Sequence, residues 1–124
     1  MMIKYIELKS DFGDSGPAWI ATIKESRSGS TIYFNQMSLK KGHGVSGNYF
    51  DFSNGNEYWI SGIKQKGSNR HWAGSGKISV EKRAVEELLA LQKVNVLNLQ
   101  EYIVCENFPE PDIQELHRIE NERL

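Results

Sequence analysis

The spacing of hydrophobic and polar residues changes near residue 78 of the chain. Before it, short runs of β-branched and aromatic residues alternate with glycine-, serine- and asparagine-rich turns, as in β-sheet proteins. In Ala18–Lys24, for example, Trp19, Ala21 and Ile23 share one face. We expect five to seven strands among the following runs: Met2–Lys9, Ala18–Lys24, Thr31–Asn35, Asn48–Phe52, Glu57–Lys64, Arg70–Trp72 and Lys77–Val80.

The clearest local signal is a hairpin between Asn48–Phe52 and Glu57–Lys64, joined by Ser53-Asn54-Gly55-Asn56. Asn-Gly tolerates the positive φ angles of a type I′ turn, whose twist matches that of paired strands. Short strands with frequent turns predict a small curled antiparallel sheet or open barrel.

The remainder of the chain is predicted to be mostly helical. In Glu81–Gln92, Ala84, Val85 and Leu88 recur at helical spacing. The segment Leu97–Val104 fits either a helix or a strand, and we favour a strand over its end and Cys105.

A final helix is predicted after the two prolines, Pro109 and Pro111. It begins at Asp112-Ile113-Gln114-Glu115, which resembles a capping box. We therefore predict one α+β, mainly β, domain over 1–124. A β-rich body (1–80) is followed by an acidic, mostly helical part (81–124) that packs on it. The last helix carries an apolar stripe that must be buried on this body or on a second copy: Ile113, Leu116 and Ile119.

The composition and the charge distribution argue against several classes of protein. The net charge of −1 divides into +4 up to Lys77 and −5 from Ile78 onward, and all eleven glycines precede Ile78. The single cysteine, Cys105, excludes an internal disulfide and favours a reducing, cytoplasmic location. No apolar run approaches the roughly 18 residues of a membrane span, and the N-terminal residues do not resemble a signal peptide. With one Cys and three scattered His, we expect no metal site.

Two motifs could indicate catalysis or cofactor binding. Gly42-His43-Gly44-Val45-Ser46-Gly47 matches G-x-G-x-x-G, but Asn48–Phe52 after it is β-prone, whereas a dinucleotide site needs a helix there. We therefore interpret it as a glycine loop between strands and expect no cofactor. Cys105 lies in an apolar run, where a free cysteine usually behaves as a small buried hydrophobe, so we predict no catalytic residues.

The most suggestive cluster combines aromatic and basic residues. Such residues on adjacent strands can stack on bases and neutralise phosphates, or anchor a peptide or ligand. Alternatively, Trp59 and Trp72 fill the barrel interior and the basic residues are merely solvated. The candidate binding surface comprises Tyr58, Trp59, Lys64, Lys66, Arg70, His71 and Trp72.

Several blocks resemble a group of small bacterial proteins of uncharacterised function. The blocks are Gly16-Pro17-Ala18-Trp19-Ile20, Gly47-Asn48-Tyr49, Glu57–Lys64 and Arg70–Gly76. The resemblance implies a shared fold. Some members carry the name 1-deoxy-D-xylulose-5-phosphate synthase, a large thiamine-diphosphate enzyme. We judge that name wrong for this chain because it lacks the Gly-Asp-Gly and downstream Asn residues that would hold the magnesium.

Three functional hypotheses follow. The first is a small non-catalytic module that binds a protein, peptide or ligand partner through the aromatic–basic cluster. The second is a nucleic-acid-associated protein that adds Lys40 and Lys41 to that cluster, although a +4 body is weakly basic. The third is a small enzyme of unidentified activity, whose signature would be a deep pocket holding a titratable residue. We expect no membrane association, and a homodimer is one way to cover the last helix.

Overall fold

The computed structural model describes residues 2–42 and 44–123. It contains a closed six-stranded antiparallel barrel with two added strands, which confirms the predicted mainly β, α+β class. Because β1 pairs with both β6 and β2, the sheet closes on itself. The strands are β1 (Met2–Leu8), β2 (Ala18–Glu25), β3 (Thr31–Phe34), β4 (Met37–Lys41), β5 (Tyr49–Asp51), β6 (Glu57–Ser61), β7 (Ile78–Glu81) and β8 (Tyr102–Cys105).

Strands β7 and β8 extend the sheet in parallel from one edge of β2. This edge is shared, because β2 pairs with β7 at Trp19 and Ile20 and with β3 only from Lys24 onward. The Thr22 amide lies in the gap between the two pairings. It donates a hydrogen bond of 2.8 Å to the carboxylate of Glu81, which is fully buried at the end of β7. A side chain thus replaces the missing strand partner.

Successive side chains of a strand point to opposite faces of the sheet, so the buried apolar residues form two separate cores. One fills the barrel, with Ile6, Ala21, Ile23, Ile32, Phe34, Leu39, Tyr58 and Ile60. The other lies on the opposite face of β1 and β2, where it is covered by the C-terminal part of the chain. Its members are Ile3, Tyr5, Ala18, Ile20, Ile78, Val80, Ala84, Leu88 and Tyr102. Both faces of β1 are therefore buried, although only one lines the barrel.

Two hairpin turns differ from the predictions. The predicted hairpin between β5 and β6 forms, but its type I′ turn is wrong, because only Gly55 of the Asn54-Gly55 pair has a positive φ. Positive φ angles at two successive residues occur instead at Asn35 (49°) and Gln36 (59°). They connect β3 to β4, a strand that the sequence pattern did not reveal, whereas Arg70–Trp72 forms no strand.

The C-terminal part begins with a 3-10 turn, Lys82–Ala84, which continues into helix α1 (Val85–Gln92). Helix α1 ends at Lys93, whose φ of 56° is left-handed. The strand prediction at Tyr102–Cys105 is confirmed by β8. No helix in the described part of the chain has the length and apolar character needed to cross a membrane.

Helix α2 (Ile113–Arg123) follows the prolines as predicted. The Asp112 carboxylate accepts the Glu115 amide at 3.1 Å, which confirms Asp112 as the N-cap. The reciprocal bond of a capping box comes from Gln36 of the barrel, whose side-chain oxygen accepts the Asp112 amide at 3.1 Å. Tyr33 and His117 add a contact of 2.8 Å, so α2 is joined to the barrel of its own chain.

Candidate functional site

A group of polar side chains lies on the face of β1 and β6 that points away from the barrel interior. Tyr5 pairs across the strands with Ser61, and Glu7 pairs with Trp59, so these four side chains are neighbours on one face. The segment 62–77, which connects β6 to β7, passes beside this face. The sheet and the segment together form a concave site.

This site is a cavity of about 400 Å³. Its size falls at the small end of the range for ligand pockets. We refer to it as the β1–β6 cavity. It is lined by Tyr5, Glu7, Lys9, Ser46, Trp59, Ser61, Gly62, Lys64, Asn69 and His71.

The floor of the cavity is a polar network built around the buried carboxylate of Glu7. The Tyr5 hydroxyl donates to Glu7 Oε1 at 2.5 Å, and Lys9 Nζ lies 3.0 Å from Glu7 Oε2. Lys9 also donates to Asp14 Oδ1 at 2.8 Å. A second cation, Arg70, approaches Glu7 Oε2 at 3.6 Å. The Glu7 carboxylate, which is 1% exposed, therefore faces two cations, as a buried charge requires.

These contacts shift the pKa values of Tyr5, Lys9 and Asp14 away from neutrality. Burial raises the pKa of Tyr5, and the adjacent Glu7 carboxylate raises it further, so the phenol stays protonated. Burial alone would lower the pKa of Lys9, but the hydrogen bonds to Asp14 and Glu7 outweigh it and raise that pKa. The Lys9 hydrogen bond lowers the pKa of Asp14.

Arg70 holds the segment 62–77 against the barrel. Its side chain is 5% exposed, and it donates to the carbonyl oxygens of Gly76 and Asp14, both at 3.1 Å. The neighbouring Gly74 permits this approach, because a Cβ there would lie 2.0 Å from the Asp14 carbonyl oxygen. Arg70 therefore shapes the cavity from behind its wall.

Asn69 fixes the same segment from the other side. Its side-chain oxygen accepts the Lys64 amide at 2.7 Å, and its nitrogen donates to the Tyr102 hydroxyl at 3.2 Å. Both polar atoms of the side chain are thus used within the protein. Asn69 sets the path of residues 64–69 along the rim of the cavity.

The rim contains the groups that solvent can reach. Trp59 is 43% exposed, and His71 is about half exposed with Nδ1 accepting the Ala73 amide at 3.1 Å. The same Nδ1 lies 3.5 Å from Asp14 Oδ2. The Lys64 side chain is also exposed. The rim therefore combines an aromatic surface with hydrogen-bond donors.

The structure brings together only part of the aromatic–basic cluster. Trp59, Lys64 and His71 line the cavity. Tyr58 instead points into the barrel, and Arg70 is buried. The two remaining members, Lys66 and Trp72, are exposed outside the cavity lining, and the Trp72 ring lies 5.4 Å from that of His71.

The alternative that Trp59 and Trp72 fill the barrel interior is wrong. Trp72 is 89% exposed and Trp59 is partly exposed on the rim. Sequence reasoning also missed the floor of the cavity. The available signal was the alternate spacing of Tyr5 and Glu7 on one face of β1, continued by Lys9 just after the strand. Such a face is usually solvated, and here it is covered.

The glycine loop between β4 and β5 forms the adjoining edge of the site, as predicted for a loop between strands; His43 lies outside the described residues. Glu57 Oε1 accepts the amides of Ser46 (3.2 Å) and Gly47 (3.1 Å). A Cβ on Gly44 would lie 1.5 Å from the same oxygen. The loop amides that could bind a phosphate are therefore occupied by a carboxylate of the protein itself.

Other chemical sites are limited in the described residues. Within 2–42 and 44–123, no group of three or more His, Cys, Asp or Glu side chains is placed to hold a metal ion. Cys105 is partly buried, and burial raises the pKa of its thiol, which reduces its reactivity at neutral pH.

Comparison of the chain with protein-family profiles, with characterised proteins and with solved structures finds no match in any of the three.

Proposed function

We propose that the protein is a non-catalytic binding module that holds a small molecule in the β1–β6 cavity. The observation that carries this proposal is the partly exposed Trp59 ring beside the buried ion pair of Glu7 and Lys9. An aromatic wall with a few fixed polar groups is the usual composition of a ligand pocket. We also infer a cytoplasmic location from the lone Cys105.

The pKa directions favour binding over acid–base catalysis. A general acid or base works best when its pKa lies near the operating pH. In the floor, however, the pKa of Tyr5 is raised and that of Asp14 is lowered, so both move away from neutrality. The network is thus suited to hold a fixed shape and charge.

The structure weakens support for the nucleic-acid alternative. Arg70 is buried, and Lys40 donates to Glu120 of α2 at 2.9 Å. These two cations are therefore not available to contact phosphates. The protein-docking alternative retains one supporting observation, the highly exposed Trp72 ring, since aromatic side chains are common anchors of interfaces.

A fragment screen followed by backbone amide NMR tests the proposal. We expect hits to shift the amides of β1 and β6, and the Trp59→Ala variant to lose them. Trp72→Ala is the matched control, because it removes a more exposed indole that does not line the cavity. Hits that persist in Trp59→Ala but disappear in Trp72→Ala would instead indicate docking through Trp72 and contradict the proposal.

A further inference from the structure

The charges around the β1–β6 cavity do not cancel completely. Lys9 balances Glu7 within the lining, and Arg70 and Asp14, which lie outside the lining, add one charge of each sign to the same network. The Lys64 ammonium at the rim has no ion pair or hydrogen bond with any residue in the described parts of the chain, 2–42 and 44–123. The charged residues of the lining, Glu7, Lys9 and Lys64, therefore leave an excess of one positive charge.

The hydrogen-bonding groups show the same preference. Glu7 Oε1 accepts from the Tyr5 hydroxyl. Glu7 Oε2 is buried and makes no hydrogen bond within the described residues, but Lys9 Nζ at 3.0 Å and Arg70 Nη1 at 3.6 Å balance its charge. The hydroxyls of Ser46 and Ser61 line the cavity and make no hydrogen bond within the described residues. The cavity thus offers a ligand the Lys64 ammonium and the two serine hydroxyls, while the Glu7 carboxylate already faces two cations. Because a hydroxyl can donate or accept, Lys64 is the group that favours an anion.

We infer that the ligand is a planar molecule with a single negative charge, of the aromatic carboxylate class; this inference rests on the proposed small-molecule function. The ring would lie against Trp59, because aromatic rings favour offset or edge contacts with one another. The carboxylate would accept from Lys64 and the serine hydroxyls, since a charged acceptor strengthens these bonds. A cation over the Trp59 ring is the competing arrangement.

Three probes with the same ring separate these possibilities: benzoate, benzamide and benzamidine, which are anionic, neutral and cationic. Each is titrated at pH 8 and low salt while the amide shifts of β1 and β6 are recorded. We expect benzoate to bind about tenfold more tightly than benzamide, and benzamidine to bind most weakly. The fold-changes correspond to one or two partly exposed charge-assisted contacts.

Lys64→Gln should weaken benzoate binding about fivefold and change benzamide binding less than twofold. Lys66→Gln is the matched control. It removes the same charge two positions along the chain, and the Lys66 side chain does not line the cavity. An unperturbed amide spectrum in both variants shows that they fold.

Three results would overturn the inference. If benzamidine binds most tightly, the site selects a cation, and the small-molecule function still stands. If Lys64→Gln and Lys66→Gln weaken benzoate equally, the preference is a general effect of charge. If none of the three probes shifts the amides of β1 and β6, the aromatic class is wrong, and the fragment screen decides separately whether the cavity binds ligands at all.

Discussion

Glu81 offers the sharpest test of how this barrel is held together. Its buried carboxylate accepts the amides of Thr22 at 2.8 Å and Phe108 at 2.7 Å, and Arg83 Nη2 lies 3.0 Å from Oε2. The hydrogen bond from the Thr22 amide fills the gap along the edge of β2 between its pairing with β7 and its pairing with β3. The second hydrogen bond, from the Phe108 amide, fixes the segment in which the Phe108 ring packs edge-on against Phe34 at 4.9 Å.

Replacing Glu81 with Ala leaves two amides without an acceptor, and each unsatisfied buried donor costs about 1–3 kcal/mol. We expect Glu81→Ala to lower the free energy of unfolding by about 4 kcal/mol, or Tm by about 15 °C for a chain of this size. Glu81→Gln keeps one acceptor oxygen and should lose about 2 kcal/mol. Urea denaturation followed by far-UV circular dichroism measures both losses.

The effect of Glu81 should also depend on pH. Burial opposes ionisation, but hydrogen bonds from Arg83, Thr22 and Phe108 outweigh it and lower the pKa of Glu81 below its usual value of about 4.5. A lowered folded pKa means that the stabilisation is complete above about pH 4.5 and is lost as the pH falls through the folded value. The gap between wild type and Glu81→Gln should therefore narrow in acid.

Glu106 provides the control, because its carboxylate is 84% exposed and pairs with Lys82 at 2.9 Å on the surface. Glu106→Ala should leave the denaturation midpoint unchanged. The reasoning fails if Glu81→Ala is as stable as Glu106→Ala, or if the gap between wild type and Glu81→Gln stays constant down to pH 3.

Three further changes test other parts of the structure. Lys93→Gly should raise the free energy of unfolding by about 1 kcal/mol, because glycine adopts the left-handed conformation at the end of α1 without strain. Lys93→Ala should give no such increase, and the midpoints of urea denaturation distinguish the two variants. Glu57→Ala should speed hydrogen exchange at the Ser46 and Gly47 amides at least tenfold while Glu57→Gln partly protects them, and equal exchange in both variants would refute the proposed role of the carboxylate. Arg70→Ala should lower the free energy of unfolding by about 3 kcal/mol, because the buried Glu7 carboxylate loses one of its two cations. Amide hydrogen exchange should increase most in the segment 62–77, and an increase spread evenly over the barrel would contradict this.

The local sequence determined several elements because their causes lie within a few residues. Asp112 caps α2 through an amide three positions away, and the prolines before it exclude an earlier start. Alternation identified β2, and the β-branched run at Tyr102–Cys105 indicated β8. The turn type was harder to predict, because Asn35-Gln36 and Asn54-Gly55 both contain an asparagine, which tolerates a positive φ. The strand register decides which of the two pairs forms a two-residue loop.

Only the tertiary structure decided which polar residues are covered. Glu7 and Lys9 follow the same alternation as a solvated strand face, and Arg70 lies more than sixty residues from Glu7 in sequence. Their burial depends on the closure of β1 onto β6 and on the path of the segment 62–77 across that pair. A residue pattern records which face of a strand a side chain occupies. Whether that face meets water or a distant part of the chain is determined by long-range packing, and in this protein it is what creates the β1–β6 cavity.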